Sequence, residues 1–209
     1  MPENAVSLIS LTHFTVAALA YLLGSIPFGL VLTRLSGLED IRELGSGNVG
    51  ATNVLRTGSK KLALLTLLLD AGKGALAVFL IYLFFSSTKN VLDLSIVGGI
   101  AAVIGHNFPI WLRFQGGKGV ATTLGTLLMI AWPIGLATCI TWLLIAAISR
   151  YSSLAAIISI VASPFYALYL DRGELFGFAS LLAVLSVIRH HTNIRKLMTG
   201  SEKKIGAKN

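Results

Sequence analysis

The sequence predicts an all-α integral membrane protein with about seven transmembrane helices, forming a single polytopic domain over residues 1–209. Two observations support this fold class. Hydrophobic residues make up 55% of the chain and charged residues 12%, and the mean hydropathy is +0.79, far from an ordinary soluble domain. Most of the chain also divides into apolar segments close to the length of about 20 residues that a helix needs to cross a bilayer.

Seven apolar segments are the candidate transmembrane helices, at about residues 7–34, 61–85, 94–112, 119–131, 133–149, 154–170 and 175–189. The first segment is too long for a cleavable signal peptide and lacks its basic cluster, so we expect it to remain. The fourth is short, and segments four and five alternatively form one long helix. Trp132-Pro133 lies between them and favours a turn at the membrane interface, because Pro interrupts helical hydrogen bonding and Trp prefers the headgroup level. Seven spans are therefore preferred.

The basic residues of the loops are distributed unequally between the two sides of the membrane, and Lys and Arg resist translocation. One side carries only Lys89 and Arg172. The other carries fourteen basic residues: Arg34, Arg42, Arg56, Lys60, Lys61, Arg113, Lys118, Arg150, Arg189, Arg195, Lys196, Lys203, Lys204 and Lys208. We therefore expect the N-terminus outside and the C-terminus, with a basic tail at residues 198–209, in the cytoplasm. Topology and anionic lipids account for the net charge of +8, and no nucleic-acid partner is expected.

The first cytoplasmic loop contains a run of small and polar residues, Gly45-Ser46-Gly47-Asn48-Val49-Gly50-Ala51-Thr52-Asn53, followed by Arg56. Glycine lets the backbone turn its N–H groups toward an anion, hydroxyls and amides add donors, and an arginine supplies a bidentate charge for phosphate. The run therefore suggests a phosphate-binding loop. A flexible connector explains the glycine content equally well.

Residues 45–50 also match G-x-G-x-x-G, with Asp70 about 20 residues further on, which resembles a dinucleotide-binding fingerprint. We reject this interpretation, because such a site needs a preceding strand and a βαβ unit. Here a transmembrane segment precedes the glycines, and Asp70 lies within the next one. A Walker loop is also excluded, because Ala51-Thr52 replaces its Lys-Ser/Thr pair.

A second polar region includes Gly105-His106-Asn107-Phe108-Pro109 and the loop Gly116-Gly117-Lys118-Gly119 before the fourth segment. A glycine turn that opens a helix brings together free N–H groups, the positive end of the helix dipole and the Lys118 ammonium. This combination predicts an anion site. Lys118 is alternatively a positive-inside anchor, although an anchor does not need the glycines on both sides. His106 by itself is best explained as a hydrogen-bonded structural histidine.

The third polar region is Arg189-His190-His191-Thr192-Asn193-Ile194-Arg195. His190 and Asn193 are three residues apart and share a helix face, where they could together hold a hydroxyl group or an acyl phosphate. Adjacent histidines point apart on a helix, and no Cys or paired carboxylate stands at ligand spacing, so no metal is expected. The alternative is an interfacial basic tail.

Two charges, Asp70 and Lys73, lie inside the second apolar segment. Each would cost roughly 2.5–3.5 kcal/mol at the centre of a transmembrane helix, so they should face each other or a polar cavity. A structural ion pair between helices is the favoured explanation, and a direct role with substrate is the second.

These segments, taken together, resemble a known family in their order and spacing. The motifs that carry the resemblance are Leu23-Gly24-Ser25-Ile26-Pro27-Phe28-Gly29, the 45–53 run, Asp70-Ala71-Gly72-Lys73-Gly74, Gly105-His106-Asn107-Phe108-Pro109, Gly116-Gly117-Lys118-Gly119-Val120-Ala121-Thr122 and Arg189-His190-x-x-Asn193-Ile194. They resemble the bacterial acyl-phosphate:glycerol-3-phosphate acyltransferase family over residues 23–206. That family has a seven-helix fold with its N-terminus outside, as the loop charges also predict.

The resemblance implies transfer of a fatty acyl group from acyl phosphate to the 1-hydroxyl of glycerol 3-phosphate. The products are lysophosphatidic acid and phosphate, and the reaction begins phospholipid synthesis. The implied partners are the two substrates and the lipid bilayer, without a cofactor, a metal, a nucleic acid or an obligate protein partner. The implied location is the bacterial cytoplasmic (inner) membrane, with the active site facing the cytoplasm.

The resemblance also implies roles for individual residues. The catalytic residues are His190, Asn193, Ser46, Arg56 and Lys118. The substrate-binding residues are Gly45, Gly47, Asn48, Gly50, Thr52, Asn53, Gly116, Gly117, Gly119 and Ser153. The supporting residues are Asp70, Lys73, His106, Asn107 and Glu202, the last of which braces the C-terminal segment. Lys118 and its glycines are assigned to glycerol 3-phosphate.

The resemblance leaves the proton acceptor open. Either His190 or the leaving phosphate could take the proton of the glycerol hydroxyl, and the absence of an orienting carboxylate nearby in sequence favours the phosphate. A small transporter for a phosphorylated solute is the competing class, but the halves of the chain show no repeat. Acyltransferases that use thioester donors are disfavoured, because the chain has no His-x4-Asp motif.

Overall fold

The computed structural model describes the backbone of residues 3–45 and 47–206, and the side chains of residues 11–45 and 47–206. All regular structure in these ranges is helical, as predicted. The α-helices are α1 (Glu3–Gly24), α2 (Phe28–Leu35), α3 (Ala51–Val54), α4 (Lys60–Phe85), α5 (Val91–Asn107), α6 (Val120–Ile130), α7 (Trp132–Ser149), α8 (Ser152–Tyr169), α9 (Phe176–Arg189) and α10 (His191–Met198). Short 3-10 turns lie at Leu55–Thr57, Ile110–Leu112 and Gly173–Leu175.

A helix occupies each of the seven predicted apolar segments, but the helices differ in their ability to cross a membrane. Five stretches are long and apolar enough: Leu11–Leu35, Lys60–Phe85, Val91–Leu112, Trp132–Ser149 and Ser152–Tyr169. A sixth results if Gly173–Arg189 and His191–Met198, bent by 62°, count as one span. Helix α6 has 11 residues, or about 17 Å, against a hydrocarbon core of about 30 Å. The count of seven spans therefore stays a prediction.

Two breaks divide the apolar segments, one expected and one not. Between α6 and α7 the backbone turns at Ala131, and 67% of the Trp132 side chain is exposed beside it. The predicted turn is therefore present, and one long helix is excluded. The first segment, expected to be one helix over 7–34, is interrupted after Gly24 because Pro27 has no N–H to continue the ladder.

Small residues let pairs of helices approach at backbone distance. A Cβ added at Gly24 of α1 would lie 2.1 Å from the carbonyl oxygen of Ala102 in α5. A Cβ added at Gly74 of α4 would lie 2.4 Å from the carbonyl oxygen of Thr122 in α6. Close contact at glycine is the usual packing of membrane helices, where the hydrophobic effect does not drive association.

Apolar side chains cover both the interior and the outer surface. The largest buried cluster joins α5 to α9 and includes Val103, Leu127 and Leu182. On the outside, Phe84 and Ile148 are 74% and 81% exposed, among many other large apolar side chains. An apolar outer surface of this kind needs lipid around it. The architecture is that of an integral membrane protein.

Candidate active site

The second and third polar regions meet at a chain of hydrogen bonds. The Lys118 ammonium donates to Oδ1 of Asn193, and Nδ2 of Asn193 donates to Oε1 of Glu202 at 2.7 Å. The hydroxyl of Ser153 donates to the same Glu202 oxygen at 2.6 Å. The loop before α6, the first turn of α10, the C-terminal segment and the start of α8 therefore converge on one site.

The Gly-Gly-Lys-Gly loop owes its shape to its glycines. Gly119 has φ +78°, a left-handed conformation that favours glycine, and α6 begins at the next residue. The Gly117 N–H donates to the carbonyl of His106 at 3.0 Å, and the Gly116 N–H to that of Asn107 at 3.3 Å. The loop thus lies against the end of α5, with the Lys118 side chain directed toward α10.

Lys118 lies in a strongly positive environment. The pKa of Lys118 is lowered to about 8: burial is the largest cause, the attraction of Glu202 opposes it, and the cations Lys196, Arg189 and Arg56 add to the lowering. Arg56 belongs to the first polar loop, so that loop is close enough to act electrostatically on Lys118. A cluster of cations with a single carboxylate is suited to hold an anion.

His190 is buried, only 2% exposed, at the bend between α9 and α10. It is the N-cap residue of α10, and Asn193 lies in the first turn of that helix. Its Nδ1 lies 2.8 Å from the carbonyl oxygen of Ser186, which can only accept, so Nδ1 carries the proton and Nε2 is the acceptor. Burial and the Lys118 ammonium lower the pKa of His190 to about 4. The ring is therefore neutral at neutral pH.

Arg189 is a site residue that the sequence-based assignment missed. Its guanidinium donates to the carbonyl oxygens of Gly116 at 3.1 Å and Gly117 at 2.8 Å, and it lies 4.9 Å from the centre of the Phe108 ring. Arg189 thus connects α9 to the Lys118 loop. Its place directly before His190 in the third motif was a signal, but we counted it only as a topological charge.

The first polar loop folds around Arg56. The guanidinium donates to Oδ1 of Asn53 at 3.3 Å, and Nδ2 of Asn53 donates to the carbonyl of Ile41 at 2.6 Å. Gly45 has φ +55°, and a Cβ there would lie 1.9 Å from the Arg56 Nη1. Ser46, predicted to be catalytic, lies outside the described residues.

The rest of this loop connects to α8. The hydroxyls of Thr52 and Ser152 are 3.1 Å apart, and Ser152 directly precedes the predicted site residue Ser153. Gly50 precedes α3, and Gly47 has φ +68°. The Oδ1 atom of Asn48 is buried without a hydrogen-bond partner in the described part of the chain. The predicted loop residues therefore lie beside the site, with an unused acceptor.

The predicted supporting residues lie beneath the Lys118 loop. Asp70 and Lys73 face each other, as expected, and pair at 2.8 Å; their i, i+3 spacing places both on one face of α4, so the ion pair lies within one helix and not between two. The Nδ1 atom of His106 is 3.6 Å from the same carboxylate oxygen. Asn107 is fully buried, and its side-chain amide has no partner among the residues described.

A separate cleft of ≈370 Å³ lies at the edge of the first loop, lined by Arg34, Arg42, Trp111, Leu112, Arg113 and Gln115. Asp40 pairs there with Arg34 and Arg42, and the Arg42 hydrogen bond holds the pKa of Asp40 well below its usual range. None of the predicted site residues lines this cleft. In residues 3–45 and 47–206, no three His, Cys, Asp or Glu side chains group to hold a metal ion.

Comparison with known proteins gives a consistent result. The family described as glycerol-3-phosphate acyltransferase matches residues 14–200. The glycerol-3-phosphate acyltransferase of Rhodospirillum rubrum is 58% identical over 197 residues, covering 92% of this chain and 91% of that protein. That of Paramagnetospirillum magneticum is 59% identical over 188 residues, covering 90% and 91%.

The fold is similar to crystal structures of PlsY (YgiH), an integral membrane glycerol 3-phosphate acyltransferase. The glycerol 3-phosphate form gives a TM-score of 0.84 at 37% identity and covers 93% of this chain and 96% of that one. The lysophosphatidic acid form gives 0.83 at 36% identity and covers 93% and 95%.

Proposed function

The chain belongs to the glycerol-3-phosphate acyltransferase family, and we propose that it uses acyl phosphate as donor and acylates the 1-hydroxyl of glycerol 3-phosphate. The hydroxyl oxygen forms a bond to the acyl carbon, the bond from that carbon to the phosphate oxygen breaks, and lysophosphatidic acid and inorganic phosphate leave. The observation that carries the proposal is the convergence of Lys118, Asn193, Glu202 and Ser153, with Arg56 and Arg189 nearby.

Both proposed substrates carry a phosphate group, which fits a site with several cations. Lys118 and the N–H groups at the start of α6 would bind the phosphate of glycerol 3-phosphate, since a helix N-terminus favours an anion. Arg56 and the first loop would bind the phosphate of the donor. The hydrogen bonds of Glu202 to Asn193 and Ser153 would keep α10 and α8 in place around the acceptor.

Acyl phosphate is a mixed anhydride and already activated, so the protein needs mainly to position the substrates and stabilise charge. Negative charge develops on the carbonyl oxygen and on the leaving phosphate, and Arg56 and Lys118 lie where they could neutralise it. Nothing in this chemistry requires a cofactor or a metal. The absence of both stays a prediction, and chelator-treated enzyme should keep its full rate.

The proton of the attacking hydroxyl goes, in this proposal, to the leaving phosphate. A pKa of about 4 makes His190 a weak base, whereas a phosphate monoester has a pKa near 6. The neutral ring would accept a hydrogen bond at Nε2 from the 2-hydroxyl of glycerol 3-phosphate, which would hold the 1-hydroxyl toward the acyl carbon and leave its proton free to pass to the phosphate. His190 then orients the acceptor, and Asn193 beside it completes the positioning.

The acyl chain would remain among the apolar helices while the phosphates stay at the polar end. The charge distribution described above supports a site at the cytoplasmic face of the bacterial inner membrane. The seven spans, the outside N-terminus and activity without an obligate protein partner are parts of the same proposal.

Turnover by the purified protein in detergent tests the function. Acyl phosphate and glycerol 3-phosphate should give lysophosphatidic acid and phosphate in equal amounts. Lys118→Met should raise the KM for glycerol 3-phosphate about 10- to 100-fold, the equivalent of a lost hydrogen bond to a charged group at ~1.5–3 kcal/mol. Lys89→Met, on the other side, is the matched control and should behave as the unmodified enzyme. Folded protein without turnover would contradict the proposal.

A further inference from the structure

Three buried ionisable side chains beneath the Lys118 loop have no part in the proposed transfer. Asp70 and Lys73 lie on α4, and His106 lies near the end of α5. One carboxylate oxygen of Asp70 is 2.8 Å from the Lys73 ammonium and 3.6 Å from Nδ1 of His106. The three side chains are 2% to 5% exposed. Charges buried in a membrane helix are costly, so their arrangement needs an explanation.

Lys73 fixes the position of this group in the fold. Its ammonium donates to the carbonyl oxygen of Ile26 at 2.8 Å, at the break between α1 and α2, and lies 5.7 Å from the centre of the Phe28 ring. The Ile26 carbonyl also accepts from the Phe28 N–H at 3.1 Å, so Lys73 adds a second hydrogen bond to the backbone at this break. Lys73 therefore holds the Asp70 carboxylate at a defined place between α1, α2 and α4.

His106 connects this group to the loop. Its Nδ1 edge faces Asp70, and its Nε2 edge faces Gly117, where an added Cβ would lie 2.0 Å from Nε2. The backbone N–H of Gly117 also donates to the His106 carbonyl. Gly117 thus packs directly against the imidazole ring of His106. The same ring contacts the Asp70 carboxylate with its other edge, so it lies between Asp70 and the loop.

Two further contacts complete the support of the loop. Arg189 donates to the Gly117 carbonyl, so Gly117 contacts both His106 and Arg189. Gly74, next to Lys73, packs on the carbonyl of Thr122 in the first turn of α6. The loop therefore rests on His106, which faces Asp70, and the helix that follows Lys118 rests on the part of α4 that carries the ion pair.

We propose that Asp70, Lys73 and His106 are positioning residues, in which Asp70 orients the His106 ring and the ring sets the place of Gly117 and hence of Lys118. The inference rests on the proposed function in one respect, namely that glycerol 3-phosphate is the ligand of Lys118. A pair that only stabilises the fold makes a different prediction. Removing one member of a buried ion pair leaves an uncompensated charge, whereas removing both together often costs little stability.

The test compares Asp70→Asn, Lys73→Met and the double variant by thermal unfolding and by the KM for glycerol 3-phosphate. Each single variant should unfold at a lower Tm, and the double variant should regain most of it. The KM of the double variant for glycerol 3-phosphate should nevertheless stay about 10- to 100-fold raised. His106 still lacks the Asp70 carboxylate in that variant, and a displaced binding group weakens substrate binding by about that factor. A double variant with both Tm and KM restored overturns the proposal.

His106→Phe is an independent test of the proposal, because it leaves the Asp70–Lys73 ion pair intact and keeps a flat ring against Gly117. This variant should also raise the KM for glycerol 3-phosphate while kcat changes less. A wild-type KM in His106→Phe overturns the proposal, whatever the double variant shows. Glu174→Gln, which breaks the exposed pair with Arg172 at the other end of α9, is the control and should change neither quantity.

Backbone hydrogen exchange separates this inference from the proposed function. Measured without substrate, the peptide 115–120 should exchange faster in His106→Phe and in the double variant than in the unmodified protein, while residues 132–149 should be unchanged. Equal exchange of peptide 115–120 in all of them overturns the inference. A wrong function would instead appear as no turnover by the unmodified enzyme, with the exchange difference still present.

Discussion

The Lys118 ammonium is buried and has other cations nearby. Burial is the larger cause of its lowered pKa of about 8. The group is a cation at neutral pH, but less firmly than an exposed lysine at about 10.4. Its hydrogen bond to Asn193 keeps the ammonium directed toward α10, and α6 begins two residues after Lys118. A phosphate bound there meets a charge that is already desolvated, which strengthens the interaction.

The pKa of Lys118 predicts a pH dependence of substrate capture. The ammonium is protonated below about pH 8 and loses its charge above it, so kcat/KM for glycerol 3-phosphate should fall on the alkaline side of pH 8. The profile of kcat/KM reports the free enzyme, which is the state described here. Initial rates at low glycerol 3-phosphate between pH 6 and 10 measure it.

Lys118→Arg is the control for this pH profile, because a guanidinium stays charged up to about pH 12. Its alkaline fall should move beyond the measured range, even if its absolute rate is lower. An alkaline fall that stays near pH 8 in Lys118→Arg would show that another group is responsible.

His190 should act by orienting the acceptor rather than as a base. We expect His190→Gln, which keeps a hydrogen-bond acceptor, to lower kcat less than the roughly 100- to 10,000-fold typical of a lost general base. The acid side of its pH profile should coincide with that of the unmodified enzyme, because a ring with a pKa of about 4 does not titrate there. A near-normal rate with intact binding would remove any essential role for the ring, and loss of the acid limb would identify a base.

At the scale of elements, the loop 116–119 is held from three directions by the ends of α5 and α9 and by the start of α6. Gly117 is the tightest point, since an added Cβ would lie 2.0 Å from Nε2 of His106 and close to the ring carbons. The ring is buried and its Nδ1 edge faces Asp70 at 3.6 Å, so it has little room to yield. A methyl group at this position must therefore displace the loop.

Gly117→Ala should raise the KM for glycerol 3-phosphate about 10- to 100-fold while the helices stay folded, because the loop moves relative to its partners. Gly177→Ala in α9 is the matched control, since nothing lies within 4 Å of its added Cβ. Initial rates and the Tm of both variants measure the effect. Equal KM values would contradict the close approach of Gly117 to His106.

The positions of the helices were predictable because each depends on a local run of apolar residues. The α6–α7 break was predictable for the same reason, from Trp132 and Pro133. The break at Pro27 was missed, because the apolar pattern continues across it into α2, and the hydrogen bond of Lys73 to the Ile26 carbonyl at the break joins residues 47 positions apart. The pairing of Asp70 with Lys73 was predictable from their i, i+3 spacing, which places both side chains on one face of α4.

At the scale of the whole molecule, the polar motifs gather at one end of the helix bundle. The contact of Lys118 with Asn193 joins residues 75 positions apart, and that of Ser153 with Glu202 joins residues 49 apart. No local pattern predicts such contacts, and only the family resemblance grouped these residues in advance. The partners of Arg189 could not be foreseen either, because they are backbone carbonyls of another loop.

The orientation in the membrane is testable through the single cysteine of the chain, Cys139. In a Cys139→Ser background, Lys89→Cys should react with an impermeant maleimide on intact cells. Lys60→Cys should react only after the membrane is opened, because its loop carries the positive charge of the cytoplasmic side. The reverse pattern would place the site outside.

The choice of donor is the central claim and is measured most directly by offering purified enzyme the same fatty acyl group in two forms. With glycerol 3-phosphate present, acyl phosphate should yield 1-acylated lysophosphatidic acid, and a thioester of the same acid should yield none above the rate without enzyme. Product position and amount are read by mass spectrometry. Lysophosphatidic acid formed from the thioester but not from acyl phosphate, or acylated at the 2-hydroxyl, would contradict the account.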